Sequence, residues 1–550
     1  MIGCPPPTPH LSENHLMNAR HVAIVLALGI VAIALVNARP DPKPPLPPEP
    51  AAGKKAAAIE DRQAGGGTAG SAGLPVRPEE IVFDPLKFAP PVAADYRHEL
   101  PDGTVVYLAE SHEFPLVDLT ISFKGGDSLD PADCPGLAST MASMMREGGA
   151  GDLGPEAFDE TLDFLATDIS ASASGSFTTV SMNCLARTFD ESLRLLLLML
   201  REPRFDSQRL ATRKARLVAM MKQRNDDGSA ILGREWRALL FGRDHFEGSQ
   251  PTVASVESVT PERLAEFHRR VIQPGNMIVA VSGDFDTEEM LASLERAFAG
   301  WERGEPAADP PLPEHQFEPG LYHVPKEIPQ GKVAIGMRSI ERDDPDAIPL
   351  AVLNDILGGG GFTSRIMRSV RSNEGLAYSA GSRLTPRVEY PGDFRAGFES
   401  KNPTVALAAK IILDEIEQIR EEPVSEQELE TAKRSLVETF PRYFESRPQM
   451  LSVFVNDEWT ERPLDHWQTY RQRVEAVTAE DVQRVAREHL DPEKMAILVV
   501  GDWSEIAPGD LDGRASMDEF FGGEVTHLPL RDPLTLEPLE PAAEPAGESR

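Results

Sequence analysis

The chain has 550 residues, and at about 100–200 residues per domain this length predicts two to four domains. Hydrophobic residues make up 41% of the chain, which is enough to bury sizeable cores and excludes wholesale disorder. The formal net charge of −33 argues against nucleic acid as a partner, because an acidic surface repels the phosphate backbone. The 3 cysteines exclude a disulfide-dense scaffold and a zinc ribbon.

An unbroken apolar run covers residues 22–36 and follows Arg20 and His21. It is shorter than the roughly 20 residues that span a bilayer, and small residues follow it, which favours a signal-peptide core. An uncleaved membrane anchor stays the alternative. We expect residues 1–38 to be a signal peptide or a membrane anchor, and the protein to be exported, either periplasmic or anchored facing the periplasm.

Two further stretches show no apolar periodicity. Residues 39–92 are rich in Pro, Ala and Gly, which predicts a linker. Residues 507–550 are acidic and end in a proline-rich run, which predicts a tail without a packed core.

The body of the chain contains an internal repeat. Residues 260–286 align without a gap to residues 478–504 at an offset of 218, and 8 of the 27 positions are identical. Each copy reads as a Thr N-cap, an amphipathic helix, a proline and an apolar run that ends at Gly-Asp. Residues 207–220 match residues 425–439 at an offset of 219. Two independent matches at nearly one offset indicate a duplicated domain.

Strands and helices alternate within each copy. Residues 168–174 and 177–185 alternate apolar and polar side chains, as half-buried strands do. The predicted fold class is α+β: two tandem homologous domains, each a mainly antiparallel sheet with helices packed on one face. The predicted boundaries are 93–305 for the first domain, 306–317 for a proline-rich linker and 318–506 for the second domain.

The sequence GLASTMASMMREGG, residues 136–149, resembles the zinc-binding helix of the insulinase/pitrilysin-type (M16) metallopeptidases. In that family the helix carries His-x-x-Glu-His: the two His hold zinc, the Glu polarises water, and a distant Glu completes the ligand set. The corresponding residues of this chain are the following: Ser139, Ala142, Ser143 and Met220. None of them is a zinc ligand, and no other histidines in the sequence have i,i+4 spacing. We therefore expect a degenerate zinc motif and no metal bound by this chain.

The sequence RSNEGLAYS, residues 371–379, resembles the C-terminal half of M16 proteins, where an Arg and a Tyr lie seven residues apart. The resemblance implies that Arg371 and Tyr378 bind the substrate backbone and stabilise the tetrahedral intermediate. Guanidinium and phenol groups are donors suited to an oxyanion. The alternative is a surface ion-pair Arg and an ordinary strand Tyr. The glycine run 358–361 lacks the Gly-Lys-Ser/Thr of a phosphate-binding loop.

The chain has therefore lost the zinc ligands and kept the Arg/Tyr pair. By resemblance, this pattern is that of the non-zinc, substrate-binding subunit of a bacterial heterodimeric M16 peptidase. Such a subunit is inactive alone, with zinc on a partner chain and an extended peptide as substrate. The alternative is a non-catalytic scaffold or binding subunit of an exported or membrane-associated complex.

A lone enzyme with other chemistry has little support in the sequence. The chain holds no Gly-x-Ser-x-Gly motif, and no cysteine pairs with a histidine in a recognisable pattern. Cys134 and Cys184 are either thiols or a disulfide of an exported protein.

Overall fold

The computed structural model describes residues 88–539. The signal peptide or anchor predicted for residues 1–38 lies outside the described residues, as do most of the linker and residues 540–550. Among the helices of the described part, none combines the length and the apolar composition that crossing a bilayer requires.

The first repeat contains a six-stranded mixed sheet. Its strand order is β1-β2-β6-β3-β5-β4, in which β2 and β6 run parallel and every other neighbouring pair is antiparallel. The strands are β1 (Arg97–Glu99), β2 (Val105–Glu110), β3 (Leu116–Lys124), β4 (Asp168–Ser174), β5 (Phe177–Leu185) and β6 (Met277–Gly283).

The second repeat contains a second six-stranded mixed sheet with the same arrangement of its inner strands. Its order is β12-β7-β11-β8-β10-β9, in which β7 runs parallel to both of its neighbours and the other pairs are antiparallel. The strands are β7 (Gly320–Pro325), β8 (Gln330–Arg338), β9 (Ala377–Thr385), β10 (Asp393–Lys401), β11 (Ala496–Gly501) and β12 (Val525–His527). The α+β class with mainly antiparallel sheets is confirmed.

Helices connect the strands in both repeats. The helices of the first repeat are α1 (Leu137–Glu147), α2 (Pro155–Leu165), α3 (Phe189–Arg201), α4 (Ser207–Met221), α5 (Gly228–Phe241), α6 (Val253–Ser258), α7 (Pro261–Val271) and α8 (Thr287–Phe298). The helices of the second repeat are α9 (Ala347–Asn354), α10 (Val405–Glu421), α11 (Glu426–Thr439), α12 (Arg447–Trp459), α13 (His466–Ala476), α14 (Ala479–His489) and α15 (Trp503–Ile506). Two π-helical segments, Asp355–Gly359 and Met367–Asn373, lie between α9 and β9.

The aligned repeat segments fold alike. Thr260 caps α7 by accepting a hydrogen bond from the backbone N–H of Arg263, and Thr478 caps α14 in the same way through Asp481. Each helix leads into a central strand, β6 or β11. Most helices of each repeat pack on one face of its own sheet, where they form the two large apolar cores.

The opposite face of each sheet is covered by a helix from the other repeat. Helix α5 of the first repeat places Trp236 and Phe241 against Tyr322 and Leu498 of the second sheet. Helix α12 of the second repeat places residues including Phe454 against the first sheet. Strand β11 is therefore buried along its whole length and β6 along nearly all of it, which explains their continuous apolar sequences.

The segment after α15 differs from the predicted tail. Residues Ala515 and Met517 are buried against the second core, and β12 extends the second sheet beside β7. Residues 525–539, the C-terminal strap, then reach the first repeat, where the backbone N–H of Val253 donates to the carbonyl of Leu534 at 2.9 Å. The acidic, proline-rich composition concealed this packing because strand pairing and carbonyl contacts do not depend on apolar side chains.

The exchanged helices predict a single unfolding transition for the two repeats. Replacing Phe454, which is 1% exposed, with Ala removes a ring that α12 buries on the first sheet. We expect this variant to lose about 3–5 kcal/mol of unfolding free energy, with both repeats unfolding together. Urea unfolding followed by tryptophan fluorescence and far-UV circular dichroism measures both quantities.

The matched control is Phe114→Ala, since Phe114 is 69% exposed and its loss should change stability by about 0.5 kcal/mol or less. Two separated transitions, or equal effects of the two substitutions, would contradict the interlocked arrangement.

Candidate functional site

The degenerate zinc positions lie on α1 and α4. The hydroxyl of Ser139 donates to the carbonyl of Gly136 at 3.1 Å, and that of Ser143 donates to the carbonyl of Ser139 at 2.9 Å. Ala142 is fully buried in the first core, and Met220 is 57% exposed. These side chains do not fit the three-ligand zinc site of the family. The two serine hydroxyls bond to their own helix, the Ala142 methyl is in the core, and the Met220 thioether is exposed.

In the described range, one group of potential metal ligands lies close enough together to hold an ion: Asp346, Glu488 and His489. Arg484 already forms ion pairs with both carboxylates, at 2.7 Å to Asp346 and 2.9 Å to Glu488. His489 bonds to Asp346 at 2.8 Å. The guanidinium supplies the positive charge that a metal would bring, so this group is a surface ion-pair network.

The structure brings Arg371 and Tyr378 together. Arg371 lies on the second π-helical segment, and Tyr378 lies at the start of β9, a strand at the edge of the second sheet. The guanidinium carbon of Arg371 is 4.9 Å from the ring centre of Tyr378 and 4.8 Å from that of Phe362. We call these three residues the aromatic clamp.

The aromatic clamp is an exposed arrangement. Phe362 is 73% exposed and Tyr378 is 85% exposed, so burial does not explain either ring. In the described range no carboxylate pairs with Arg371, and its N–H donors remain open to a ligand. Two cation–π contacts orient the guanidinium but contribute only about 0.5–1 kcal/mol each at an exposed site. Exposed aromatic rings around an unpaired cation are typical of a binding surface.

A partly buried ion pair lies directly before the π-helical segment that carries Arg371 of the clamp. Arg365, which is 7% exposed, donates to both carboxylate oxygens of Glu428 at 2.8 and 3.0 Å. Burial alone would raise the pKa of Glu428, but the hydrogen bonds from Arg365 and Ser425 outweigh it and lower that pKa to about 2. Glu428 belongs to α11, so the pair joins the clamp segment to a helix of the second core.

The glycine run at 358–361 is required by close packing. A Cβ on Gly358 would lie 2.3 Å from the backbone nitrogen of Ser382 in β9. Gly361 has a φ of 62°, which favours glycine. The first π-helical segment therefore lies directly against β9, and Phe362 directly follows the glycine run. Phe362 was not predicted from the sequence, although its position directly after the glycines marks it.

A cleft of about 870 Å³ lies between the repeats, and its lining includes Ser139 but neither Arg371 nor Tyr378. Asp130 also lines it, and burial raises the pKa of that carboxyl to about 7 despite hydrogen bonds from the N–H groups of Ala138 and Gly136. The cleft thus contains one of the degenerate zinc positions, Ser139, and does not contain the Arg/Tyr pair.

Cys134 and Cys184 are free, buried thiols. Burial raises the pKa of both thiols, that of Cys184 to about 11, and a thiol that stays protonated is a poor nucleophile.

Comparison with known proteins gives a consistent family. Residues 258–436 match the family described as "Peptidase M16 inactive domain". The non-peptidase homolog YmxG of Helicobacter pylori is 24% identical over 404 residues, which cover 72% of this chain and 91% of that protein. The uncharacterized zinc protease Rv2782c of Mycobacterium tuberculosis is 30% identical over 287 residues, which cover 50% of this chain and 64% of that protein.

Solved structures share the fold. The crystal structure of the peptidase M16 inactive domain from Pseudomonas fluorescens matches with a TM-score of 0.67 at 23% identity and covers 74% of this chain and 97% of that one. A chain of the complex III2 structure from Candida albicans matches with a TM-score of 0.60 at 12% identity and covers 74% and 96%. In sequence and fold the protein is therefore similar to the M16 peptidase family, and within it to the inactive-domain members.

The ion pair below the clamp predicts a pH-dependent contribution to stability. Because the pKa of Glu428 is lowered on folding, the pair stabilises the protein above about pH 4.5, and this contribution is lost as the pH falls toward 2. Glu428→Gln should lower the unfolding free energy at pH 7 by about 2 kcal/mol, and its difference from the wild type should vanish near pH 2.

Denaturant unfolding at several pH values measures this difference. Glu430→Gln is the matched control: it lies on the same helix and pairs with Arg434, but both side chains are more than half exposed. A Glu428→Gln effect that is no larger than the control, or that is independent of pH, would contradict the assigned role of the pair.

Proposed function

We propose that this protein is the non-zinc subunit of a two-chain M16 peptidase and contributes Arg371 and Tyr378 to a zinc site held by a partner chain. The observation that carries the proposal is the aromatic clamp: an unpaired guanidinium held between two exposed rings, in a chain whose own zinc positions hold no ligands. The chain itself is then inactive, and zinc is bound by the partner.

The chemistry of the clamp suits peptide-bond hydrolysis. The N–H groups of Arg371 and the O–H of Tyr378 are donors. Donors placed around a peptide carbonyl stabilise the negative charge that develops on its oxygen when water attacks. The cation–π contacts of Arg371 with Phe362 and Tyr378 restrict the motion of the guanidinium, so less conformational entropy is lost when substrate binds.

The separation of the clamp from the cleft favours a site shared between chains. Ser139 lies in the cleft between the repeats, whereas Tyr378 lies at the edge of the second sheet. A partner that presents a zinc-bearing helix to this edge would complete the site, and an extended peptide between the chains would be the substrate. An obligate pair of this kind needs an interface of about 2,000 Å² or more. We also propose that residues 1–38 direct the export of the protein, as a signal peptide or a membrane anchor.

A scaffold or binding subunit of a larger complex is the second candidate. Two comparisons favour it: the H. pylori relative is named a non-peptidase homolog, and a chain of a complex III assembly shares the fold. M16 proteins thus occur in complexes, and the two candidates differ in whether the partner holds zinc and whether the clamp is needed for activity.

Reconstitution with the co-purifying partner tests the proposal. We expect neither chain alone to cleave a quenched fluorescent peptide and the mixture to cleave it. In the mixture, Arg371→Ala and Tyr378→Phe should each lower kcat about 10²-fold, because each removes a donor to the oxyanion. Size-exclusion chromatography should show that both variants still bind the partner.

The matched control is Arg368→Ala, which removes a half-exposed guanidinium from the same π-helical segment. Full activity of the Arg371→Ala and Tyr378→Phe double variant in an intact complex would contradict the catalytic role. Co-elution with metal-free chains and no peptidase activity would establish the scaffold candidate instead.

A further inference from the structure

A second feature, distant in sequence from the clamp, is a buried carboxylate surrounded by arginines. Glu235 on α5 is 1% exposed. Arg234 donates to it at 3.1 Å, Arg243 donates to its other oxygen, and the Nε of Arg531 lies 4.0 Å away. Arg224 is close enough that the charge of Arg234 lowers its pKa further than burial alone does. We call Arg224, Arg234, Arg243 and Arg531 the arginine cluster.

The charges in this cluster do not balance. Three guanidinium groups share one carboxylate, Glu235, and the fourth, that of Arg224, is influenced by the charge of Arg234. The four arginines therefore exceed this carboxylate by three positive charges. Two carboxylates close in sequence accept backbone hydrogen bonds: Asp227 accepts from the N–H of Ser229, and Asp532 accepts from the N–H groups of Leu534 and Thr535. Asp244 and Glu247 line the cleft beside Arg243, and Glu247 pairs with Arg387. Partly buried charges of one sign destabilise a fold unless a counter-ion compensates them.

Backbone carbonyls satisfy some of the donors but supply no charge. Arg224 donates to the carbonyls of Pro251 and Pro533, and Arg531 donates to that of Leu536. The Nε–H of Arg531 is buried and has no acceptor. Burial and the neighbouring Arg243 and Arg234 lower the pKa of Arg531, even though Glu235 opposes the shift. The cluster therefore has both unpaired charge and an unused donor.

The cleft between the repeats exposes one member of the cluster, Arg243, to solvent. The side chain of Arg243 is 37% exposed, and it also donates to Glu235. Arg237 also lines the cleft and has no carboxylate partner among the ion pairs of residues 88–539. A small anion in the cleft can therefore reach the guanidinium of Arg243 without any change in the fold.

We infer that the arginine cluster is a binding site for a multiply charged oxyanion, either inorganic phosphate or the phosphoryl group of a phosphomonoester. Guanidinium groups bind phosphate oxygens through paired, charge-assisted hydrogen bonds, which matches the donors present here. Since Arg531 belongs to the C-terminal strap and Arg243 to the first repeat, the bound anion fastens the strap to that repeat. The site is independent of the proposed peptidase role.

Thermal unfolding of the full chain tests the site. Inorganic phosphate should raise Tm by about 3 °C relative to sodium chloride at equal ionic strength, because it binds the folded state alone. Arg243→Gln combined with Arg531→Gln should abolish this difference. Arg263→Gln should retain it, since Arg263 pairs on the surface with Asp133, away from the cluster. A parallel titration with O-phosphoserine shows whether the site admits a phosphomonoester or only the free anion.

The Glu235→Gln variant distinguishes two roles of the arginine cluster, an anion-binding site and a purely structural ion-pair network. The substitution removes the carboxylate that binds Arg234 and Arg243, so phosphate should bind several-fold more tightly and recover much of the Tm lost in chloride. Equal Tm values of the wild type in phosphate and chloride would overturn the inference. So would a phosphate effect that survives the Arg243→Gln and Arg531→Gln double substitution.

Discussion

The reciprocal packing of α5 and α12 is the constraint on which the rest of the structure depends. Each helix buries aromatic side chains on the sheet of the other repeat, Trp236 and Phe241 in one direction and Phe454 in the other. A buried ring of this kind contributes about 2–3 kcal/mol. Without its exchanged helix, each sheet would expose one apolar face, so neither repeat can complete its core alone. The two copies of the duplicated unit therefore form one structural body.

The reciprocal packing of α5 and α12 also determines which surfaces remain free to bind a partner. Both central strands, β6 and β11, are covered on their two faces, so neither offers a free surface. The clamp lies at the edge strand β9, outside the covered region, on a π-helical segment. Such segments are often found at functional sites. The ion pair of Arg365 with Glu428 fixes that segment to the core, and the segment can therefore present an unpaired Arg371 to a partner.

The sequence predicted the class of fold and the duplication because both depend on local patterns. The helix N-caps at Thr260 and Thr478, and the apolar runs that follow them, can be recognised in the sequence. The exchange of helices between the repeats could not be predicted from the sequence. The amphipathic pattern of a helix indicates that one face is buried, but it does not identify the sheet on which that face packs. The C-terminal strap was not predicted for a related reason: many of its contacts use backbone carbonyls, such as that of Leu534, and its few apolar side chains form no periodic pattern.

The candidate site was predictable only in part. Arg371 and Tyr378 came from resemblance to a family motif, and the structure brings them together. The contact of Arg371 with Phe362 could not be predicted, because it depends on the conformation of the glycine run, which places the Phe362 ring beside the guanidinium. The arginine cluster unites residues that are more than 300 positions apart in the chain, such as Arg224 and Arg531, so spacing in the sequence carries no signal of it.

The central claim is that the clamp faces the zinc site of a partner chain. Placing the photo-crosslinking residue p-benzoyl-phenylalanine at position 378 in the native complex, followed by mass spectrometry, tests it most directly. We expect the crosslink to reach a partner peptide that includes, or adjoins, a His-x-x-Glu-His helix. Crosslinks confined to chains without that motif, or none from position 378 in an intact complex, would contradict the account.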